Sequence, residues 1–252
     1  MNLTDDLHLI MTEFLQPLGE AAVASLRITA GDCWSVGIRC HSSAWPDLLI
    51  RSVTAADVPT LERFGAQLGP HSRSLFYPYP WHDAAALHTA LETAIARSVN
   101  RINATYVIES GGGGVVGHFF LHDTCAAPAA RQQGICMPVL GVAVADAWQG
   151  RRLGTLGVRL LQAISPHFGA DGIELTTLSN NLAGQHVYRC CGFEDTGVIA
   201  PPADANGMAS SISELQMLYV IRPGKRAAME IWLRAKRGKS TTAGEASEGS
   251  IR

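Results

Sequence analysis

Apolar positions recur with a clear period from residue 48 onward, and their spacing predicts alternating strands and helices. Residues 48–53 form a short apolar run that is typical of a strand. Thr54 and Asp57 follow it, with the three-residue spacing of a helix-capping box. The helix after them is predicted to end near residue 68, before Gly69 and Pro70. Asp83 is placed to cap a second helix that reaches about residue 98.

The rest of this region continues the alternation. The predicted strands are residues 105–109, 115–121, 138–144, 173–178, 193–199 and 213–221, and the predicted helices are residues 153–164 and 182–191. Glycines 111–114 join the first two of these strands as a hairpin turn. A phosphate-binding loop does not suit this position, because a strand follows it and not a helix. Helices interspersed with a mostly antiparallel sheet indicate an α+β layered domain.

Two segments flank this domain, which we place at residues 47–222. Residues 1–46 are predicted to be an N-terminal extension. It has a helical pattern interrupted by Pro17 and Gly19, and then two short strands around residues 30–32. Residues 223–252 are predicted to be a basic helix and a tail, and the Gly, Ser, Thr and Ala content from residue 238 onward predicts disorder.

Composition and charge exclude several classes of protein. Of the 252 residues 47% are hydrophobic and 17% charged, which is a globular composition. The formal net charge of −2 does not suggest a nucleic-acid partner. The N-terminus does not resemble a secretory signal, and no uncharged apolar run approaches the ~20 residues that span a bilayer. We therefore expect a cytoplasmic protein with no membrane partner.

The six cysteines do not suggest a metal site. They are Cys33, Cys40, Cys125, Cys136, Cys190 and Cys191, and none forms a C-x-x-C pair. This spacing argues against a zinc knuckle or a thioredoxin-type site. Reduced thiols are the simplest expectation for a cytoplasmic protein.

The loop between the strand at 138–144 and the helix at 153–164 carries the clearest chemical signal. The first turn of such a helix has amide N–H groups without intrahelical acceptors, and the helix dipole adds partial positive charge. Gly150 and Gly154 let a ligand approach the backbone, and Arg151 and Arg152 add full charges. These features favour a pyrophosphate site. On the loop alone, an ordinary strand-to-helix connection remains the alternative.

Two segments resemble motifs of the GNAT superfamily of N-acetyltransferases. Gln149 and Gly154 match the ends of its Q/R-x-x-G-x-G/A signature, but Arg152 stands where the first glycine is expected. A side chain at this position is expected to require an ordinary helical backbone, and its charge could pair with phosphate. Residues 179–193 resemble the family's later motif, in which Asn181 and Tyr188 are seven apart and Gly-Phe follows. The resemblance covers about residues 48–221.

The resemblance implies a fold and a set of site residues. The fold is a GNAT-like mixed, mostly antiparallel central sheet flanked by helices. Acetyl-CoA is the implied co-substrate, and an amine attacks its thioester directly. The implied cofactor-binding residues are Val142, Ala143, Val144, Gln149, Gly150, Arg151, Arg152, Leu153, Gly154, Thr155 and Asn181. Tyr188 matches the general acid, and its alternative is a ring that packs in the core. Asn181 could equally cap the helix after it.

The general base is the least defined part of this site. Some members of the family have a glutamate where this sequence has Thr176, and Glu174 lies two residues earlier on the same strand face. We expect Glu174 to be an edge or solvent-facing carboxylate, although it could act through a water molecule. His118, His122 and Asp123 are further candidates.

The acceptor is an amine, but two features of the sequence point to different classes of amine. Without a strong base, an α-amine is favoured, because deprotonating it at pH 7 costs about 1 kcal/mol, against roughly 4.6 kcal/mol for a lysine amine. The segment 61–79 resembles, more loosely, domains that acetylate protein lysines. Phe76, Tyr77, Tyr79 and Trp81 could line the acceptor pocket or pack structurally.

Two functions therefore follow from the sequence. The first is an N-acetyltransferase that acts on a small-molecule or protein amine. The alternative is an acyl-CoA-binding module with little catalysis, for which the extension and the helix with Met229, Trp232 and Leu233 would be interaction surfaces. A homodimer is left open.

Overall fold

The computed structural model describes residues 2–18, 23–42, 45, 47–76, 78–125, 134–199 and 212–243. Its helices are α1 (Leu3–Leu15), α2 (Val58–Gln67), α3 (Pro70–Leu75), α4 (Ala84–Val99), α5 (Leu153–Ile164), α6 (Leu182–Cys190) and α7 (Arg226–Ala243). Short 3-10 turns precede or follow several of them. None of the described helices is long and apolar enough to cross a membrane.

Nine strands form a single sheet. They are β1 (Val23–Asp32), β2 (Ser35–Ser42), β3 (Leu48–Ser52), β4 (Ala104–Glu109), β5 (Val115–His122), β6 (Val139–Val144), β7 (Gly172–Leu178), β8 (Glu194–Ile199) and β9 (Glu214–Val220). Their order across the sheet is β1-β2-β3-β4-β5-β6-β7-β9-β8. Only β6 and β7 pair in parallel; the other described pairs are antiparallel. This mixed, mostly antiparallel sheet confirms the predicted fold class.

Helices cover both faces of the sheet and make it the middle of three layers. Phe119 packs with residues of α1 and α5, whereas Phe120 packs with residues of α2 and α4. The two phenylalanines separate in this way because consecutive side chains of a strand point to opposite faces. Helix α7 packs on the Phe120 face, where Met229 and Leu233 are fully buried against Leu218. These two side chains are part of the core, so the hypothesis of an interaction surface was wrong for them.

The N-terminal segment is built into the same sheet. Strands β1 and β2 form a hairpin that pairs with β3, and α1 packs on α5. The hairpin turns at Cys33 and Trp34, not around residues 30–32 as predicted. Asp32 stabilises this turn by accepting a hydrogen bond from the Trp34 amide. The division of the chain at residues 46 and 222 stays a prediction.

Several local signals are confirmed. Thr54 and Asp57 form the capping box, Asp83 caps α4 through the amides of Ala85 and Ala86, and α5 has the predicted bounds. Two boundaries were wrong. Residues 70–75 are helical because Pro70 occupies the first turn, where its missing N–H costs nothing. Helix α7 continues through residue 238 to Ala243, so the prediction of disorder fails for that stretch. Residues 244–252 lie outside the described residues.

One cysteine pair also departs from expectation. Cys125 and Cys136 form a disulfide, with 5.4 Å between their Cα atoms. The antiparallel pairing of β5 with β6, which places His122 opposite Val139, brings the two cysteines together from either side of the connection. The expectation of reduced thiols was therefore wrong for this pair. Cys33, Cys40, Cys190 and Cys191 are free thiols.

Candidate functional site

Strands β6 and β7 separate soon after they meet. Val139 pairs with Glu174, and this is the only register pair between the two strands. On its other side β6 pairs with β5 along its whole length. The edge of β6 from Gly141 to Val144 therefore has backbone groups that no neighbouring strand uses.

A cavity of about 850 Å³ opens at this separation. Of the predicted site residues, it is lined by Val142, Ala143, Val144, Gln149, Gly150, Arg152, Leu153, Gly154, Thr155, Asn181 and Tyr188. Arg151 is absent from the lining, because its guanidinium lies over the ring of Trp148, 4.7 Å from the centroid. The cavity runs from the loop at residues 149–155, along the open edge of β6, to the far end of that strand at Val139.

Arg152 adopts the left-handed conformation that the signature glycine would provide. Its φ and ψ are 63° and 6°, and it is the residue before α5. The expectation of an ordinary helical backbone here was wrong. Non-glycine residues pay roughly 1–2 kcal/mol for this conformation, because Cβ crowds the following carbonyl oxygen. The turn is thus preserved although the glycine is absent.

Contacts with α1 hold the Arg152 side chain. The guanidinium lies over the ring of Phe14, 4.8 Å from its centroid, and Nη1 donates a hydrogen bond to the Phe14 carbonyl at 3.4 Å. Phe14 in turn stacks on the buried Trp45, with 5.0 Å between the ring centroids. The guanidinium charge therefore lies against α1, whereas the sequence had suggested that it pairs with phosphate.

The glycines of the loop face open space. Gly150 has a φ of 73°, and a Cβ added at Gly150 or Gly154 would meet nothing within 4 Å. The first intrahelical bond here joins the Leu156 amide to the Arg152 carbonyl at 3.0 Å, and no side chain caps the helix. The preceding amides are therefore available to an anion beside the cavity.

Gln149 braces the loop against the rest of the site. Its Nε2 donates to the carbonyl oxygen of Val144 and to Oγ of Ser72, both at 3.1 Å. Ser72 belongs to α3, the helix that sequence reasoning missed. His71, Ser72 and Leu75 of α3 also line the cavity. The signal that could have revealed this helix was Pro70 directly after Gly69, a common way to begin one.

Asn181 caps α6 while it lines the cavity. Its Oδ1 accepts from the Gly184 amide at 3.0 Å, and its Nδ2 donates to Oγ1 of Thr177 at 2.9 Å. The alternative role as an N-cap is thus confirmed, and the contact with a cofactor stays a prediction. Tyr188 lies about two helix turns further along the cavity wall, half-buried, with its ring edge-on to Phe193.

Glu174 is committed to another partner. Its side chain is 3% exposed and forms an ion pair with Lys236 of α7, at 2.5 Å between Oε1 and Nζ. Burial raises the pKa of this carboxyl, although Lys236 opposes the shift. Glu174 does not line the cavity, and the expectation of a solvent-facing carboxylate was wrong. Thr176, two residues further along the same strand face, does line it.

The two histidines of β5 differ in their surroundings. His118 is fully buried: Nδ1 lies 3.3 Å from the Tyr106 carbonyl, and Nε2 lies 3.2 Å from the Tyr79 hydroxyl. Because a carbonyl can only accept, Nδ1 carries the proton and Nε2 accepts from Tyr79. Burial lowers the pKa of His118 to about 4. With both nitrogens engaged and no contact with the cavity, His118 does not suit the role of a base.

His122 lines the cavity at the end away from the loop. Its ring stacks on Phe120, with centroids 3.9 Å apart, and its buried Nε2 has no hydrogen-bond partner among the described residues. Burial, and then the charge of Arg97, lower its pKa to about 4, so the imidazole is neutral at pH 7. The neighbouring Asp123 forms an ion pair with Arg97. Of the candidate bases on β5, only His122 faces the cavity.

The aromatic segment divides between the cavity and the core. Phe76 lines the cavity, as does Pro78. Tyr79 and Trp81 are 5% and 7% exposed and pack under α2 and α4. Tyr77 lies outside the described residues. Structural packing is therefore confirmed for Tyr79 and Trp81, and for Phe76 a contact with the acceptor stays a prediction.

Comparisons with known proteins agree with this geometry. Residues 71–193 match the family model "Acetyltransferase (GNAT) family". No curated protein matches the sequence. Among solved structures, the ribosomal L7/L12 alpha-N-protein acetyltransferase RimL with coenzyme A aligns with a TM-score of 0.56 and 15% identity, over 69% of this chain and 94% of that chain.

Two further structures give the same result. The ribosomal-protein-S5-alanine acetyltransferase of Vibrio fischeri has a TM-score of 0.55 at 12% identity, over 69% of this chain and 92% of that one. A putative acetyltransferase of Salmonella typhimurium, yncA with acetyl-CoA, has a TM-score of 0.54 at 17% identity, over 69% and 94%. At these identities the likeness shows the fold alone. Together with the family model, it shows that the chain carries an acetyltransferase domain of the GNAT family, matched over residues 71–193.

Proposed function

We propose that this protein transfers the acetyl group of acetyl-CoA, the co-substrate of the family, to an amine. The observation that carries the proposal is the open edge of β6. It faces a cavity that begins at the amides of α5 and reaches Tyr188 and His122. The end at α5 can bind the pyrophosphate of the cofactor, and the end at Tyr188 and His122 can supply the proton transfers.

The cofactor fits the cavity in one direction. Its pyrophosphate lies at the first turn of α5, where free amides and the helix dipole favour an anion. Its pantetheine amides then pair with the edge of β6 at Val142, Ala143 and Val144, as an added strand would. This path places the thioester toward Val139, the end of β6 that is far from the loop.

The transfer itself needs two proton movements. The amine nitrogen attacks the thioester carbonyl carbon and forms the N–C bond. The nitrogen then loses a proton, the C–S bond breaks, and the electron pair leaves with sulfur. Tyr188 donates its hydroxyl proton to the departing sulfur, since a phenol with a pKa near ~10 is protonated at neutral pH.

His122 accepts the proton from the nitrogen. Its ring lines the cavity, its buried Nε2 has no hydrogen-bond partner among the described residues, and its low pKa keeps the imidazole neutral and able to accept. An imidazole of this pKa is a weak base toward a free ammonium ion. The nitrogen of the tetrahedral intermediate is more acidic than a free ammonium ion, so His122 accepts its proton more easily at that stage. The incoming amine must therefore arrive neutral, which favours amines of low pKa such as α-amines.

Release of free CoA thiol tests the proposal. Purified protein with acetyl-CoA and a panel of α-amines, alkylamines and peptides should release thiol in proportion to the acetylated amine. Binding of acetyl-CoA, measured by calorimetry, is the separate readout for the cofactor. Tight binding with no transfer to any amine would instead support the non-catalytic acyl-CoA-binding module, which the cavity's lack of a carboxylate base favours.

A further inference from the structure

The part of the cavity wall that the described residues form is free of acidic side chains. None of the described residues that line it is an aspartate or a glutamate, and its one arginine, Arg152, lies at the loop end. At the opposite end, around Val139, the polar side chains of the wall are His122, Thr176 and Tyr188, and none of them is a carboxylate. The apolar members there are Leu75, Phe76, Pro78, Phe120 and Val139.

The carboxylates closest in sequence to this end are already neutralised. Asp123, next to His122, is paired with Arg97, and Glu174, opposite Val139, is paired with Lys236. Either carboxylate would have to break its ion pair to receive a cationic ligand. A buried ammonium without a carboxylate partner is strongly disfavoured relative to water.

The aromatic rings at this end offer little to a cation either. Cations bind aromatic faces, but His122 covers one face of Phe120, which is only 2% exposed. Phe76 packs against four other rings, those of Tyr79, Trp81, His118 and Phe120. These rings form an apolar wall rather than an open cage.

We propose that the acceptor is a primary amine whose body is an alkyl or aryl group without a second positive charge. Polyamines and diamines are excluded by the same wall. This inference rests on the proposed acetyl transfer and names the acceptor class for that site. The reacting nitrogen lies beside His122, and the uncharged body contacts Phe76, Phe120 and Val139.

Pentylamine and cadaverine test the inference as a matched pair, since they differ only in a second ammonium group at the far end. With the native protein at pH 8, we expect kcat/KM for pentylamine to exceed that for cadaverine at least tenfold. Equal values, or a preference for cadaverine or spermidine, would overturn the inference and leave acetyl transfer standing. Transfer to no amine at all would overturn both.

A charge variant provides the second readout. Thr176→Glu adds a carboxylate to the acceptor end of the cavity. It should lower the ratio of kcat/KM for pentylamine to kcat/KM for cadaverine at least threefold. Thr12→Glu is the matched control, because it adds the same charge on the exposed side of α1, away from the cavity. An unchanged ratio in folded Thr176→Glu, or an equal change in Thr12→Glu, would contradict the proposal. If Thr176→Glu does not fold, the comparison of the two amines on the native protein still decides.

Discussion

The guanidinium of Arg152 rests on the ring of Phe14, and this contact joins the loop at residues 149–155 to the N-terminal helix. The two residues are 138 positions apart in the sequence. Cation–π contacts contribute roughly 0.5–2 kcal/mol, which is comparable to what a left-handed backbone costs a non-glycine residue. We infer that Phe14 stabilises the conformation in which the loop can present its amides.

Substitutions at Arg152 separate a role of the backbone from a role of the charge. Arg152→Gly adopts the left-handed conformation without cost and should bind acetyl-CoA within about threefold of the native protein. Arg152→Ala keeps the energetic cost of the left-handed backbone but loses the contact with Phe14. It should bind acetyl-CoA up to about tenfold more weakly, since ~1.4 kcal/mol is a factor of ten. Calorimetric titration with acetyl-CoA measures both. If the glycine and alanine variants lost affinity equally, the guanidinium would be acting on the phosphates directly.

Phe14→Leu completes this comparison. It keeps most of the buried apolar surface and removes the ring beneath the guanidinium. We expect it to weaken acetyl-CoA binding severalfold in the native background and to change nothing in Arg152→Gly. Equal losses in both backgrounds would mean that Phe14 acts only through the packing of α1.

Removal of the Tyr188 hydroxyl should slow the chemical step. Tyr188→Phe retains the ring that packs against Phe193, so the fold and acetyl-CoA binding should be preserved. We expect kcat to fall by about 10²-fold, the usual size of a general-acid contribution. Stopped-flow measurement of acetyl transfer checks this. A variant as fast as the native protein would assign Tyr188 to the core alone.

His122→Phe tests the proposed proton acceptor. The phenyl ring can keep the stacking on Phe120 while it removes Nε2. We expect kcat to fall at least tenfold with little change in acetyl-CoA affinity. Because the imidazole stays neutral above about pH 4, its protonation should not limit the native rate between pH 8 and pH 5. An inflection near pH 6.5 that disappears in His122→Phe would contradict the lowered pKa.

His118 should make stability depend on pH. Its pKa is about 4 in the folded protein and near 6.5 when unfolded, so the unfolded state binds the extra proton between these values. The stability that neutral His118 provides is complete above pH 6.5 and declines as the pH falls to about 4. The loss is on the order of 2–3 kcal/mol. Urea unfolding from pH 4.5 to 7.5 measures it, and His118→Asn should remove roughly half of the dependence, because His122 has a pKa lowered to the same value. A variant as pH-sensitive as the native chain would contradict this origin.

Local patterns allowed much of the fold to be predicted. The bounds of α5, the capping box at Thr54 and the N-cap at Asp83 depend on residues close together in sequence. Features set by contacts distant in sequence were missed. The Cys125–Cys136 disulfide follows from the pairing of β5 with β6, and the burial of Glu174 follows from the packing of α7.

The same distinction applies to the site. Gln149, Gly154, Asn181 and Tyr188 could be placed by motif, and all four line the cavity. The left-handed backbone of Arg152 could not be predicted, because the contact that accompanies it comes from α1. His118 and His122 were indistinguishable as candidates in the sequence. Only burial and hydrogen bonding separate them.

The ion pair between Glu174 and Lys236 links the C-terminal helix to the region that matches the family model. Glu174 stands where β6 and β7 begin to part, and the cation that neutralises it lies beyond residue 193, where the family match ends. A chain shortened to residues 71–193 would lack α1, α2 and the first three strands on one side, and β8, β9 and α7 on the other. It would leave the buried carboxylate of Glu174 without its cation at the point where β6 and β7 separate. A truncated or transplanted version of this domain that keeps Glu174 neutralised therefore has to extend beyond the matched residues and include Lys236.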